Sequence, residues 1–159
     1  MIQEKIIDRL PGLFAGIEGL DAALLIGSFG RKTPEWRSDI DLSLLVGPRF
    51  RPKQLADALS GALTGILKVH LVELRNRIVV YFQNSPKLEA AWFYSKKELD
   101  RNFLGSEIKD IHSSVLYERD PALTNLFGYL ARITADKQKA LKQGFKQKLV
   151  RELSDKFLY

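Results

Sequence analysis

The chain has 159 residues, 25 basic and 19 acidic, for a formal net charge of +6; 45% of the residues are hydrophobic and 28% charged. That balance excludes a disordered or fibrous chain and suits a soluble globular unit long enough to bury a real core. Cysteine is absent and histidine occurs only at His70 and His112, which excludes disulfides, thiolate nucleophiles and Cys- or His-rich metal centres. A metal held here must be held mainly by oxygen, as Mg²⁺ and Mn²⁺ are. The apolar, uncharged run Ala22 to Gly30 is far too short to cross a bilayer. The N-terminus mixes acid with base ahead of Pro11, unlike a secretory leader, so the expected location is the cytoplasm and no membrane partner is expected. The positive charge favours anionic partners such as nucleotides or RNA without naming one.

Residues 3–18 place Ile6, Ile7, Leu10, Leu13, Phe14 and Ile17 at helical spacing, with Pro11-Gly12 expected to break or kink the helix. After Asp21, the apolar run Ala22–Ile26 reads as a buried strand entering a loop at Gly27. Ser38–Val46 alternates polar and apolar before turning fully apolar, a strand whose Asp39, Asp41 and Ser43 share one face. Gly47-Pro48 stops it. Pro52–Leu63 is expected to be a helix with Leu55, Leu59 and Leu63 on one ridge.

Two strands follow, Ile66–Leu74 and Arg77–Phe82, joined by the two-residue turn Arg75-Asn76 as a hairpin. In that register Val69, Leu71, Ile78, Val80 and Phe82 face the core; His70, Val72, Arg77, Val79 and Tyr81 face away. From Ser85 onward the pattern is mostly helical, apart from a short strand at Ser114–Tyr117. The last segment, about Ala135 to Phe157, carries a ridge of Leu141, Phe145, Leu149, Leu153 and Phe157 flanked by lysines. Such a ridge needs cover, from the domain itself or from a second copy in a homodimer. The lysine flank reads as a solvated face rather than an RNA-binding one. The expected organisation is a domain over 1–120 and a helical extension over 121–159.

The chemistry concentrates between Leu24 and Val46. Holding polyphosphate takes small residues at a strand end, where backbone N–H groups and a hydroxyl can approach it. Gly27 and Gly30 allow the approach, Ser28 supplies the hydroxyl, and Arg31 and Lys32 can neutralise phosphate oxygens. Asp39 and Asp41, two apart on a strand, project from one face and repel unless a cation lies between them. Trp36, in the loop between these halves, either stacks on a base or caps the domain.

Gly27-Ser28, ten residues, then Asp39-Ile40-Asp41 resembles the signature of the DNA polymerase β-like nucleotidyltransferase superfamily, and more closely its minimal and aminoglycoside nucleotidyltransferase members. Arg31 after Gly30 and Ser38 before the first aspartate fit the same pattern. Leu116-Tyr117-Glu118-Arg119-Asp120 is similar to a C-terminal segment of such proteins. The resemblance implies an α+β fold, a small mixed β-sheet flanked by helices. It also implies transfer of a nucleoside monophosphate from a nucleoside triphosphate, ATP by default, to an acceptor that is a small molecule, RNA or protein.

By position, Asp39 and Asp41 would be the catalytic metal ligands for Mg²⁺ or Mn²⁺. Gly27, Ser28, Arg31 and Ser38 would bind the nucleotide. The family's third carboxylate aligns with His70 in one scheme and Val79 in another, neither acidic. Glu73, the nearest acid, falls on the opposite face in the register above. Two readings stay open: an active enzyme, or a catalytically impaired nucleotide- or RNA-binding regulatory homologue.

Overall fold

A computed structural model of the chain describes residues 1–83, 86–94 and 114–121. The elements run α1 (Ile2–Phe14), β1 (Leu20–Ile26), α2 (Gly27–Gly30), β2 (Ile40–Val46), α3 (Pro52–Leu63), β3 (Val69–Leu74), β4 (Arg77–Phe82), β5 (Leu88–Phe93) and β6 (Val115–Glu118). The strands form one sheet in the order β3-β4-β5-β2-β1-β6. Only the β2–β5 pair is parallel, so the sheet is mixed and the chain is α+β, as expected. The expected helix from Ala135 to Phe157, and with it the extension over 121–159 beyond Pro121, lies outside the described residues.

One face of the sheet carries the core. Ala23, Leu25, Ile40, Leu42, Leu44, Ile78, Val80, Leu88 and Ala90 meet Ile6, Leu10 and Phe14 of α1 and Leu55, Leu59 and Leu63 of α3, all buried. Both helices present residues four apart, which stack along one side of a 3.6-residue helix. In α3 the starting Pro52 has the fixed φ that a first turn needs and spends no useful donor. Pro11, by contrast, does not break α1, which continues to Phe14. It lies close to the C-terminal end, and its own carbonyl still accepts from Ala15 N–H at 3.1 Å. Proline deletes a single donor there, so the buried ridge on either side prevails.

The β3–β4 hairpin is in a different register from the expected one. Leu74 opposes Ile78 and Val72 opposes Val80, with an irregularity between Val69 and Leu71. A shift of one residue exchanges the faces. Leu71 is therefore 48% exposed rather than core, and Val72 turns inward to pack on the core.

The largest departure is β5. The stretch after Ser85 was expected to be mostly helical, yet Leu88–Phe93 is a strand inserted between β2 and β4. The expected strand near residues 114–117 is present as β6 on the far edge beside β1. There Arg119 donates to the carboxylate of the buried Asp21 at 2.6 Å and its N–H to the Asp21 carbonyl at 2.7 Å. The Leu116–Asp120 segment thus pins the sheet edge. No helix among the described residues is long and apolar enough to cross a membrane.

Candidate functional site

The site is built at the end of β1 and along the sheet face opposite the core. β1 terminates at Ile26, and Gly27 takes φ +65° to turn the chain into the single helical turn α2, where an open loop was expected. Few side-chain-bearing residues adopt that conformation readily. A Cβ at Gly27 would also collide with the Asp41 carboxylate, so the backbone and that acid are in immediate contact. The turn closes with Arg31 N–H to the Gly27 carbonyl and Thr33 N–H to the Ser28 carbonyl, both at 2.9 Å.

Asp41 lies on β2, and Asp39 immediately precedes that strand. In the sheet, Ile26 is opposite Asp41, Asp41 opposite Glu89, Glu89 opposite Val79, and Val79 opposite Glu73. Directly opposed residues project to the same side of a sheet. The row therefore sets an acid, Glu89, beside Asp41 on the neighbouring strand, a position that neither alignment scheme pointed to. Val79 is buried and separates Glu89 from Glu73. Glu73 shares the face of Asp41 after all, because of the shifted hairpin register, but it is three strands away. His70 falls at the irregularity in β3, exposed, in a cleft with Lys53, Asp57 and Ser60 of α3. It does not join the carboxylates.

Two cations balance the row. Lys87 Nζ lies 2.6 Å from Glu89 Oε1, and Arg77 approaches Glu89 Oε2 at 3.3 Å. Lys87 also donates its backbone N–H to Asp39 Oδ1 at 2.9 Å, and its carbonyl accepts from Ile40 N–H at 3.0 Å. Burial raises the pKa of Asp41 above its ordinary 3.8; Glu89 and then Asp39 raise it further, against Lys87 and Arg31. The hydrogen bond to Glu89 holds the Lys87 ammonium above its usual range. Arg77 reads from the sequence as a turn residue, whereas Glu89 and Lys87 carry no signal as site residues there. Their trace is the alternation of Leu88, Glu89 and Ala90 after Pro86, which a strand reading would have exposed.

The loop from Arg31 to Ser38 is held from below. Gln3 of α1, buried, donates its amide to the carbonyls of Trp36 and Ser38. The Ser38 hydroxyl accepts from Glu35 N–H at 2.8 Å, an arrangement that shapes the loop.

Among the described residues, no three of Asp, Glu and His form a ready-made metal cluster. The donor set nonetheless fits a hard divalent cation. Its members are carboxylates, and Asp41 is crowded by like charge. Mg²⁺ is commonly held by one or two carboxylates with substrate phosphates completing the shell, so a full protein cage is not required. Small residues at Gly27-Ser28, carboxylates beside them and cations around them suit a ligand that brings phosphate and metal together.

No protein-family description matches the chain, and no curated protein is significantly similar to it. Among solved structures, a chain of a toxin–antitoxin crystallised with AMP-PNP aligns over 92% of this chain and 97% of its own length, at 17% identity and TM-score 0.44. A mutant form of the toxin–antitoxin MntA-HpeT aligns over the same shares at 15% identity and TM-score 0.43. Both likenesses are low, and the chemistry is read from the residues of this chain.

Proposed function

We propose that the chain is a metal-dependent nucleotidyltransferase that uses a nucleoside triphosphate, ATP by default, to transfer a nucleoside monophosphate to an acceptor hydroxyl. The observation that supports it is the pairing of Asp41 with Glu89 across β2 and β5, with Asp39 just ahead of β2 and the Gly27 backbone against Asp41. Asp39 and Asp41 are the residues that would hold Mg²⁺ or Mn²⁺. When bound, such an ion supplies Lewis acidity and neutralises charge on the phosphates.

The chain's own residues supply the rest. Gly27 and Ser28 receive the triphosphate through backbone N–H groups and the Ser28 hydroxyl, and Arg31 adds positive charge beside it. The acceptor oxygen attacks the α-phosphorus, the bond to the β-phosphate oxygen breaks, and pyrophosphate leaves. Glu89 takes the acceptor proton on a carboxylate oxygen, once the incoming phosphates compete with Glu89 for the Lys87 ammonium.

The test is incubation with labelled ATP, CTP, GTP and UTP and Mg²⁺ or Mn²⁺, against small-molecule, RNA and protein acceptors. Label transfer with pyrophosphate release, abolished by Asp41→Ala, supports the enzyme. Metal-dependent nucleotide binding with no turnover points instead to the impaired regulatory homologue. That second reading drew on the non-acidic His70 and Val79, and it weakens now that Glu89 stands beside Asp41.

A further inference from the structure

Trp36 is 68% exposed, an expensive position for an indole, which ordinarily buries most of its ring. Its backbone is nevertheless fixed. Gln3, only 2% exposed, reaches across 33 and 35 positions of chain to the Trp36 carbonyl at 2.8 Å and the Ser38 carbonyl at 3.2 Å. The Glu35–Ser38 turn closes the same loop, with Ser38 N–H donating to the Glu35 carbonyl at 2.9 Å. The Arg37 guanidinium lies over the Trp36 ring, 4.3 Å from its centroid. A domain cap would bury the ring; this arrangement holds it out in solvent with a cation against it.

That combination suits a flat conjugated ring linked to negative charge, which gains from stacking and from the guanidinium together. The place is right for it. Only Arg37 and Ser38 lie between Trp36 and Asp39, so the Cα atoms of Trp36 and Asp39 are at most about 11 Å apart. The loop that carries Trp36 begins at the end of the Gly27–Gly30 turn. A ligand with phosphates at Gly27-Ser28 and beside Asp39 has its remaining parts within reach of this shelf.

We propose that Trp36, backed by Arg37, is the stacking platform for the base of the donor nucleotide. This rests on the nucleotide-binding reading of the carboxylate site and adds where the base is held. Every base has a π-face, so all four nucleotides bind, and the larger purine rings bind tighter.

Calorimetry with Mg²⁺ tests the platform without any need for turnover. ATP and inorganic tripolyphosphate are titrated into the wild-type chain, W36A and W36F. The expected result is a loss of ATP affinity in W36A of roughly five- to a hundredfold, the range of one base–aromatic stack. Tripolyphosphate affinity should be unchanged in W36A, and W36F should recover most of the ATP affinity. Trp36 and Trp92 are the two tryptophans of the chain, so ATP should also quench wild-type emission, tripolyphosphate should not, and W36F should lose the quench. Equal ATP affinity in W36A and wild type overturns the platform and leaves the site reading standing. Parallel loss of ATP and tripolyphosphate also overturns it, because the loop would then be serving the phosphates. Failure of the wild type to bind either ligand overturns both.

Discussion

Glu89 and Asp41 are neighbours with opposite electrostatic circumstances. Glu89 is ion-paired to Lys87 and Arg77, whereas Asp41 is squeezed by burial and by Glu89 and Asp39. Replacing Glu89 with Gln keeps the shape and removes the proton acceptor. Transfer should fall by about 10²–10⁴-fold, with nucleotide affinity changed only a few-fold, read by steady-state kinetics beside calorimetry. Undiminished transfer in the variant would remove Glu89 from the chemistry.

Asp41 gives a pH signature. Because its proton affinity is raised on folding, the ionised form disfavours the folded chain at neutral pH. That penalty disappears as pH falls through the raised value towards 3.8, the point from which the shift is reckoned. Asp41→Asn removes the penalty altogether. In metal-free buffer at neutral pH the variant should melt above the wild type, with the gap closing on acidification, as scanning calorimetry can show. A variant that melts below the wild type at neutral pH would contradict this account of Asp41.

Gly27→Ala tests the same corner from the backbone side. It forces a left-handed residue to carry a Cβ, at about 1–2 kcal/mol, and drives that Cβ into the Asp41 carboxylate. Both thermal stability and tripolyphosphate affinity should drop. An alanine variant that binds tripolyphosphate as the wild type does would separate Gly27 from the site.

At the scale of elements, the helices were legible because their information is local. Leu55, Leu59 and Leu63 spell one face of α3, and the helix runs over the expected residues. The strand β5 was not legible, for a physical reason. Leu88, Glu89, Ala90 and Ala91 are residues that favour helix when isolated, and only the slot between β2 and β4 makes them a strand. Glu89 was hidden with it, so half of the candidate site could be read and half could not. The aspartate pair and the Gly27-Ser28 turn are contiguous motifs; Glu89 joins them only through pairing across the sheet.

The hairpin failed more narrowly. A two-residue turn at Arg75-Asn76 would pair Leu74 with Arg77, whereas the strands pair Leu74 with Ile78. The observed register predicts unequal costs. Leu71→Ser should change stability by no more than about 0.5 kcal/mol, while Ile78→Ala, in the core, should cost about 2–5 kcal/mol. Chemical denaturation of both variants settles the order, and a large loss for Leu71→Ser would restore the other register.

For the whole molecule, ligand and fold are linked through the sheet. A ligand that binds only the folded chain at a hundred times its Kd stabilises it by about 2.7 kcal/mol. For a chain of this length that is roughly 5–10 °C in Tm. Mg²⁺ with a nonhydrolysable triphosphate should produce such a rise in the wild type and none in Asp41→Ala. A chelator should reverse it, and a rise that persists in the variant would place the ligand elsewhere.

The sheet order β3-β4-β5-β2 has a consequence for how the molecule assembles. Within the sheet the hairpin is hydrogen-bonded to the earlier strands by way of β5, which is synthesised after both, so the two halves wait for a latecomer wedged between them. Pairings so distant in sequence slow folding. A nascent chain that ends before residue 88 can have both aspartates and its hairpin made, yet no finished acidic pair. Competence for the proposed chemistry would then switch on with the arrival of that one strand.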